Sequence, residues 1–181
     1  MSKMIIYSFA IILDVILMNL IVQIPILAFS QTIPVNTFYL IVLLHTHDQN
    51  ITLREVLALF SLGLFLDVLY ATPIFVNAVT IVIVIVIAHI LKTYFNDNGF
   101  ERVVFLLVML FLKELISYSI LFVTFKTTLI PTVWFVRRVF FVLILNIPWI
   151  ILSVFVFSKY QIIEKYQQKR RRQKETYNHL R

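Results

Sequence analysis

The sequence predicts an all-α integral membrane protein, a bundle of about six transmembrane helices, and three observations carry that expectation. The chain is 61% hydrophobic, has a mean hydropathy of +0.94 and is only 14% charged, against about 25% charged in ordinary soluble domains. Its apolar residues fall in runs that approach the ~20 residues a helix needs to cross hydrocarbon. Its cations gather in the connections on one side of those runs. A soluble core of this size has no place for so much apolar surface, so lipid is the medium that accepts it. The length fits one polytopic membrane domain over 1–158 and a basic tail over 159–181, with no separate soluble domain. Cysteine is absent, so there is no disulfide frame, thiol nucleophile or Cys-based metal site.

Taken in order, spans are expected near 5–29, 33–45, 52–71, 74–91, 102–125 and 139–158. The first apolar run, Met4 to Phe29, contains Asp14, Asn19 and Gln23 and is followed by no small-residue cleavage site, so it reads as a span and not as a cleaved signal peptide. The second, Ile33 to His45, is too short to cross comfortably and is expected to be re-entrant or strongly mismatched. The third opens at Arg54-Glu55 and turns at Thr72-Pro73 into the fourth. The fourth is so rich in Val and Ile from Ala78 to Ala88 that in water it would read as a strand. A lone strand in lipid leaves its backbone groups unsatisfied, so a helix is expected. The fifth carries Lys113 and Glu114 near its middle, and the sixth runs into the tail.

Orientation follows from charge. With both termini on one side, that side collects Lys3, Arg54, Lys92, Arg102 and the eight Lys/Arg of the tail, while the other has Lys126, Arg137 and Arg138. Twelve against three places both termini in the cytoplasm under the positive-inside rule.

Polar residues inside the spans mark the candidate sites. An aspartate near the centre of a membrane helix costs about 2.5 to 3.5 kcal/mol on insertion scales, so Asp67 is expected to face protein, water or a partner. Gly63, Asp67 and Tyr70 fall at i, i+4 and i+7 on one face, and Gly63, one of two glycines in the chain, implies a close helix approach there. With Pro73 and Asn77 beyond the turn, these residues form a candidate partner-binding hairpin. Asn19 and Gln23 share a face with Asp14 roughly in line, a polar stripe that fits an interhelical hydrogen-bond seam. Lys113 and Glu114 are adjacent and so point about 100° apart. Each is expected to need another partner, with Lys113 meeting Asp14 or Asp67 across the bundle.

Other residues carry less chemistry. His45 and His47 beside Asp48 read as a solvated loop, because no further ligand is placed by the sequence; no metal and no cofactor are expected. There is no Gly-x-Ser-x-Gly, His-Glu-x-x-His, phosphate loop or glycine-rich dinucleotide turn, which disfavours an enzyme. The tail holds six of the chain's seven net positive charges. Its cluster, Lys169, Arg170, Arg171, Arg172 and Lys174, reads as a topology anchor at anionic lipid, with an acidic cytoplasmic partner as the other reading. Nucleic acid is not expected.

The order Pro34-x-x-x-Phe38-Tyr39-Leu40, then Arg54-Glu55 opening a span that ends in Gly63-Leu64-x-Leu66-Asp67-x-Leu69, then Pro73-x-x-x-Asn77-Ala78, resembles the bacterial rod shape-determining MreD family. The resemblance covers residues 33–91; where that family commonly has glycine shortly after the proline, this chain has Phe75. It implies a non-enzymatic scaffold in the bacterial inner membrane that binds MreC and, through it, MreB, RodA and penicillin-binding protein 2, supporting cell shape and lateral peptidoglycan synthesis. It also implies a bundle similar to the substrate-binding subunits of energy-coupling-factor vitamin transporters. Scaffold and carrier share that fold and differ in what the central polar groups do. Few tryptophans, and polar groups that do not visibly converge, favour the scaffold.

Overall fold

In the computed structural model of the chain, the structure describes residues 3–22, 36–48, 51–70, 72–96, 98–124, 127 and 130–179. Every regular element among them is helical: α1 (Lys3–Val22), α2 (Thr37–Asp48), α3 (Leu53–Leu69), α4 (Val76–Leu91), α5 (Gly99–Val123), the single turn α6 (Pro131–Trp134) and α7 (Phe140–His179). A 3-10 turn, Lys92–Tyr94, closes α4, and a π-helical turn, Phe135–Val139, joins α6 to α7. The Val/Ile-rich segment is helical, as the lipid argument requires. Among the described residues, three stretches are long and apolar enough to cross a membrane by length and composition: Val76–Tyr94, Gly99–Val123 and Phe140–Lys159.

The short second run is the centre of the bundle. α2 has 12 residues, about 18 Å of helix against about 30 Å of hydrocarbon. It packs against α1, α4, α5 and α7, and Phe38, Tyr39, Leu40, Val42, Leu43 and Leu44 are all buried. A helix apolar on every side is stable only when enclosed, which explains why its sequence shows no amphipathic stripe. Its first turn lies beside Lys113, near the middle of α5, so α2 begins inside the bundle and runs from there toward one end.

The surrounding helices show the inverse pattern of a soluble protein, with polar residues inward and apolar residues outward. On α1, Tyr7, Ala10, Ile11 and Asp14 are buried while Ile5, Phe9, Ile12 and Ile16 are exposed. On α5 the buried stripe repeats through Arg102, Phe105, Met109, Lys113, Glu114 and Ser117, so the two charges belong to the core face. Tyr118 stacks on Trp134 with centroids 4.3 Å apart, which fixes α6 to α5.

α3 and α4 form the tightest pair. α3 starts with a reciprocal cap in which Glu55 N–H donates to Thr52 Oγ1 and Thr52 N–H donates to the Glu55 carboxylate at 2.9 Å. At Gly63 the backbones meet: a methyl group there would stand 2.6 Å from Ala78 Cα and 2.9 Å from Ala78 N. Phe75, the N-cap of α4, has φ 78°, a left-handed conformation that costs a residue with a side chain about 1 kcal/mol or more.

Gly63→Ala is expected to lower the unfolding free energy of the detergent-solubilised protein by about 1 to 3 kcal/mol, because the obstructing atoms are backbone and the helices must part. An unchanged unfolding midpoint would contradict the close approach.

A buried polar network as the candidate functional site

Two helix N-termini are received by an aspartate from the preceding helix, that of α2 inside the bundle and that of α4 at the α3–α4 turn. The first backbone N–H groups of a helix have no intrahelical acceptor, and water is not at hand to serve them in hydrocarbon. At α2, Thr37 N–H donates to Asp14 Oδ1 at 2.8 Å and Phe38 N–H to Asp14 Oδ2 at 2.9 Å, with the Thr37 hydroxyl also on Asp14. Asn36, whose carbonyl accepts from Leu40 N–H, stands at the N-cap and donates its own N–H to Asn146 Oδ1 at 3.0 Å. At α4, Asn77 N–H donates to Asp67 Oδ1 at 2.8 Å and Ala78 N–H to Asp67 Oδ2 at 3.4 Å, joined by the Asn77 amide at 2.9 Å and the Thr72 hydroxyl at 2.8 Å. Both carboxylates are thus stabilised by a helix dipole and several donors, without a cation in direct contact.

The cations belong to Glu114. Lys113 Nζ lies 2.7 Å from Glu114 Oε1 and Arg138 Nε lies 2.8 Å from Glu114 Oε2; Glu114 is 0% exposed, while the Arg138 side chain is 36% exposed. Lys113 also donates to Asn36 Oδ1 at 2.9 Å and sits 4.9 Å from the centre of the Tyr39 ring, so its three protons each have a partner. The Tyr39 hydroxyl reaches the carbonyl and side chain of Asn77 at 3.4 Å. Through Tyr39 and Asn36, the Asp67 hairpin, the α2 N-terminus and the ion group form one continuous network. The π-helical turn holding Arg138 adds a residue to the helix at the point where this side chain reaches across to α5.

Several expectations change. Lys113 and Glu114 pair directly, because the four-carbon stem of lysine spans the angle between neighbouring positions and both aspartates are already committed to helix ends. The polar groups converge, contrary to their scattered look in the sequence, since Asn36 and Asn146 connect them. His47 and Asp48 are not a solvated loop: they end α2, with His47 Nδ1 and Arg102 Nη2 each 3.2 Å from Asp48 Oδ1 and the His47 ring against Phe105. Arg102, counted in the sequence as a connecting cation, is buried there. Among the described residues no three His, Cys, Asp or Glu come together as a metal set.

The remaining candidates are placed as follows. Gly63 and Asp67 are buried between α3 and α4, and Tyr70, Pro73 and Asn77 are half-buried around them. Asn19 lies on the α1 backbone with its side chain outside the described residues, as does all of Gln23. Lys169, Arg170, Arg171, Arg172 and Lys174 lie on the far part of α7. Asn36, Thr37 and Asn146 carry no expectation from the sequence, Tyr39 enters there only through the family resemblance and Arg138 only as a connecting cation. Asn36-Thr37 directly before an apolar run is a helix-start signal, and Asn146 is a lone amide in the most apolar span; Arg138 left no such mark. No family model matches the chain, and no curated protein or solved structure is similar to it.

Lys113→Met is expected to destabilise the solubilised protein by about 3 kcal/mol, the low end for breaking a buried pair because Arg138 remains on Glu114. Adding Glu114→Gln is expected to recover part of that loss, with a coupling of at least about 1 kcal/mol in denaturant titrations. Strict additivity would contradict the pairing.

Proposed function

We propose that the protein is a non-enzymatic membrane scaffold of the MreD type, which binds an MreC-like membrane protein and serves bacterial cell elongation. One observation carries the choice of scaffold: every ionic group of the central network is engaged by a neighbour inside the chain, whereas the α3–α4 turn that the network stiffens offers apolar side chains outward. Val68, Ile74 and Phe75 are 74%, 67% and 54% exposed, and Phe75 is held in a strained left-handed conformation. Strain of this kind persists only where the surroundings enforce it, and it is common at recognition surfaces. Asp67, Thr72 and Asn77 enforce it from inside.

In this reading Gly63, Asp67, Tyr70, Pro73 and Asn77 build the hairpin, and Val68, Ile74 and Phe75 touch the partner. In the same reading the bundle crosses the bacterial inner membrane about six times, and both termini lie in the cytoplasm. MreB, RodA and penicillin-binding protein 2 are reached through the MreC-like partner. The convergence of polar groups on Lys113 keeps one second reading in view, a vitamin-binding subunit of an energy-coupling-factor transporter, in which Asn36, Lys113 and Asn146 would hold the ligand.

Outward-facing substitutions separate binding from folding. Ile74→Ser with Phe75→Gly is expected to leave insertion and thermal unfolding within about 1 kcal/mol of the parent while the MreC-like protein is lost from mild-detergent purifications and cells become rounded. Normal shape with full partner recovery, in a strain that needs the protein for shape, would overturn the scaffold reading. Loss of vitamin uptake on changing Asn36 or Lys113, with shape intact, would establish the carrier instead.

A further inference from the structure

The tail carries most of its cations away from the apolar end of the last span. α7 is one helix from Phe140 to His179, and its apolar run gives way to charge at Lys159. After Pro148 the chain has neither proline nor glycine, so no residue in the sequence breaks the helix at the membrane surface. At 1.5 Å per residue, Lys169 stands about 15 Å and Lys174 about 22 Å past Lys159 along the axis. A typical tilt of about 20° shortens these heights by under a tenth. Attraction of a cation to anionic lipid is about 1 kcal/mol at the surface and decays over a Debye length of about 8 Å. Lys159 lies within that layer, Lys165, about 9 Å further along the axis, lies at its edge, and the cluster 169–174 stands above most of it.

Lying flat is no better. An interfacial helix needs an apolar face, and residues 167–176, Gln-Gln-Lys-Arg-Arg-Arg-Gln-Lys-Glu-Thr, supply no apolar residue. Consecutive positions on a helix are about 100° apart, so Lys169, Arg170, Arg171 and Arg172 girdle the axis and do not share one side. The rest of the chain is nearly neutral, with the tail holding six of seven net charges, so this girdle dominates the field at that end of the molecule.

We propose that the α7 extension is a docking rod whose basic girdle is received by an acidic, Asp/Glu-lined cleft of a soluble cytoplasmic protein. The cytoplasmic compartment rests on the topology given above. Charge complementarity sets the occupant, and a girdle charged on all sides fits a cleft better than a flat surface. Between membrane and girdle, Ile162, Ile163 and Tyr166 fall at i, i+1 and i+4 on one helix face. A protein cleft has apolar walls to match such a face, whereas a phosphodiester chain has no partner for isoleucine.

The absence of cysteine permits a single fluorophore at Gln173→Cys in the full-length protein, held in nanodiscs of phosphatidylcholine with or without phosphatidylglycerol. The label is expected to stay unquenched by nitroxide lipids in both, and Glu164→Pro is expected to bring it within quenching range in the phosphatidylglycerol discs. A synthetic peptide rich in Glu, Asp and Leu is expected to bind, with its Kd rising at least about tenfold when Lys169, Arg170, Arg171 and Arg172 are all changed to Gln. Quenching of the unbroken helix by phosphatidylglycerol discs, equal peptide binding by the neutralised variant, or tighter binding of a single-stranded RNA of equal charge would each overturn the proposal. Nanodiscs expose both faces, so these results do not depend on topology. In spheroplasts an impermeant quencher that reaches the label from outside would overturn the cytoplasmic placement itself.

Discussion

A helix cannot start inside hydrocarbon unless something accepts its first N–H groups, and a carboxylate cannot sit there unless something donates to it. Asp14 solves both problems at once for α2, and Asp67 receives the first N–H groups of α4 at the α3–α4 turn. An unsatisfied backbone group at that depth costs several kcal/mol, which outweighs the insertion penalty of about 3 kcal/mol for an aspartate. The rest of the bundle depends on this exchange. With its N-terminus held by Asp14, α2 places Asn36 against Lys113 and Asn146, and those contacts tie α5 and α7 to the centre. With Asp67 on α4, the α3–α4 turn is closed tightly enough for Gly63 to meet Ala78.

The network and the two exposed surfaces divide the molecule by function. Thr80 on α4 faces Ser117 on α5 at 3.2 Å, which puts the α3–α4 turn beside the C-terminal half of α5 and the start of α7. The basic end of α7 therefore points away from the opposite end of the bundle. On the proposed reading, the hairpin and the rod at the other end hold two partners in fixed relation.

Much of the architecture was legible because lipid removes choices. Apolar runs had to be helices, which decided the Val/Ile-rich α4, and Gly63 with Asp67 at i, i+4 marked a close approach that the backbone distances bear out. The site was less legible for two reasons. Helix spacing places residues on faces but says nothing of how far a flexible lysine reaches, so the Lys113–Glu114 pair was missed. The connecting residue Asn36 lies 110 positions from Asn146, and no local pattern signals that α2 begins at the level of Lys113. The tail's charge was plain, but its continuity with α7 was not, since a polar helix has no apolar period to read.

The start of α2, closed by Asp14, is expected to be dry. Amide hydrogen exchange of the full-length protein in nanodiscs, resolved at Thr37, Phe38, Asn77 and Ala78, tests it most directly. These groups occupy the first turns of helices, which in water exchange rapidly. The account expects protection comparable to that of Met109 and Leu110 in the middle of α5, and its loss at Thr37 and Phe38 alone in Asp14→Leu. Rapid exchange at Thr37 and Phe38 in the unaltered protein would show water at the start of α2 and contradict it.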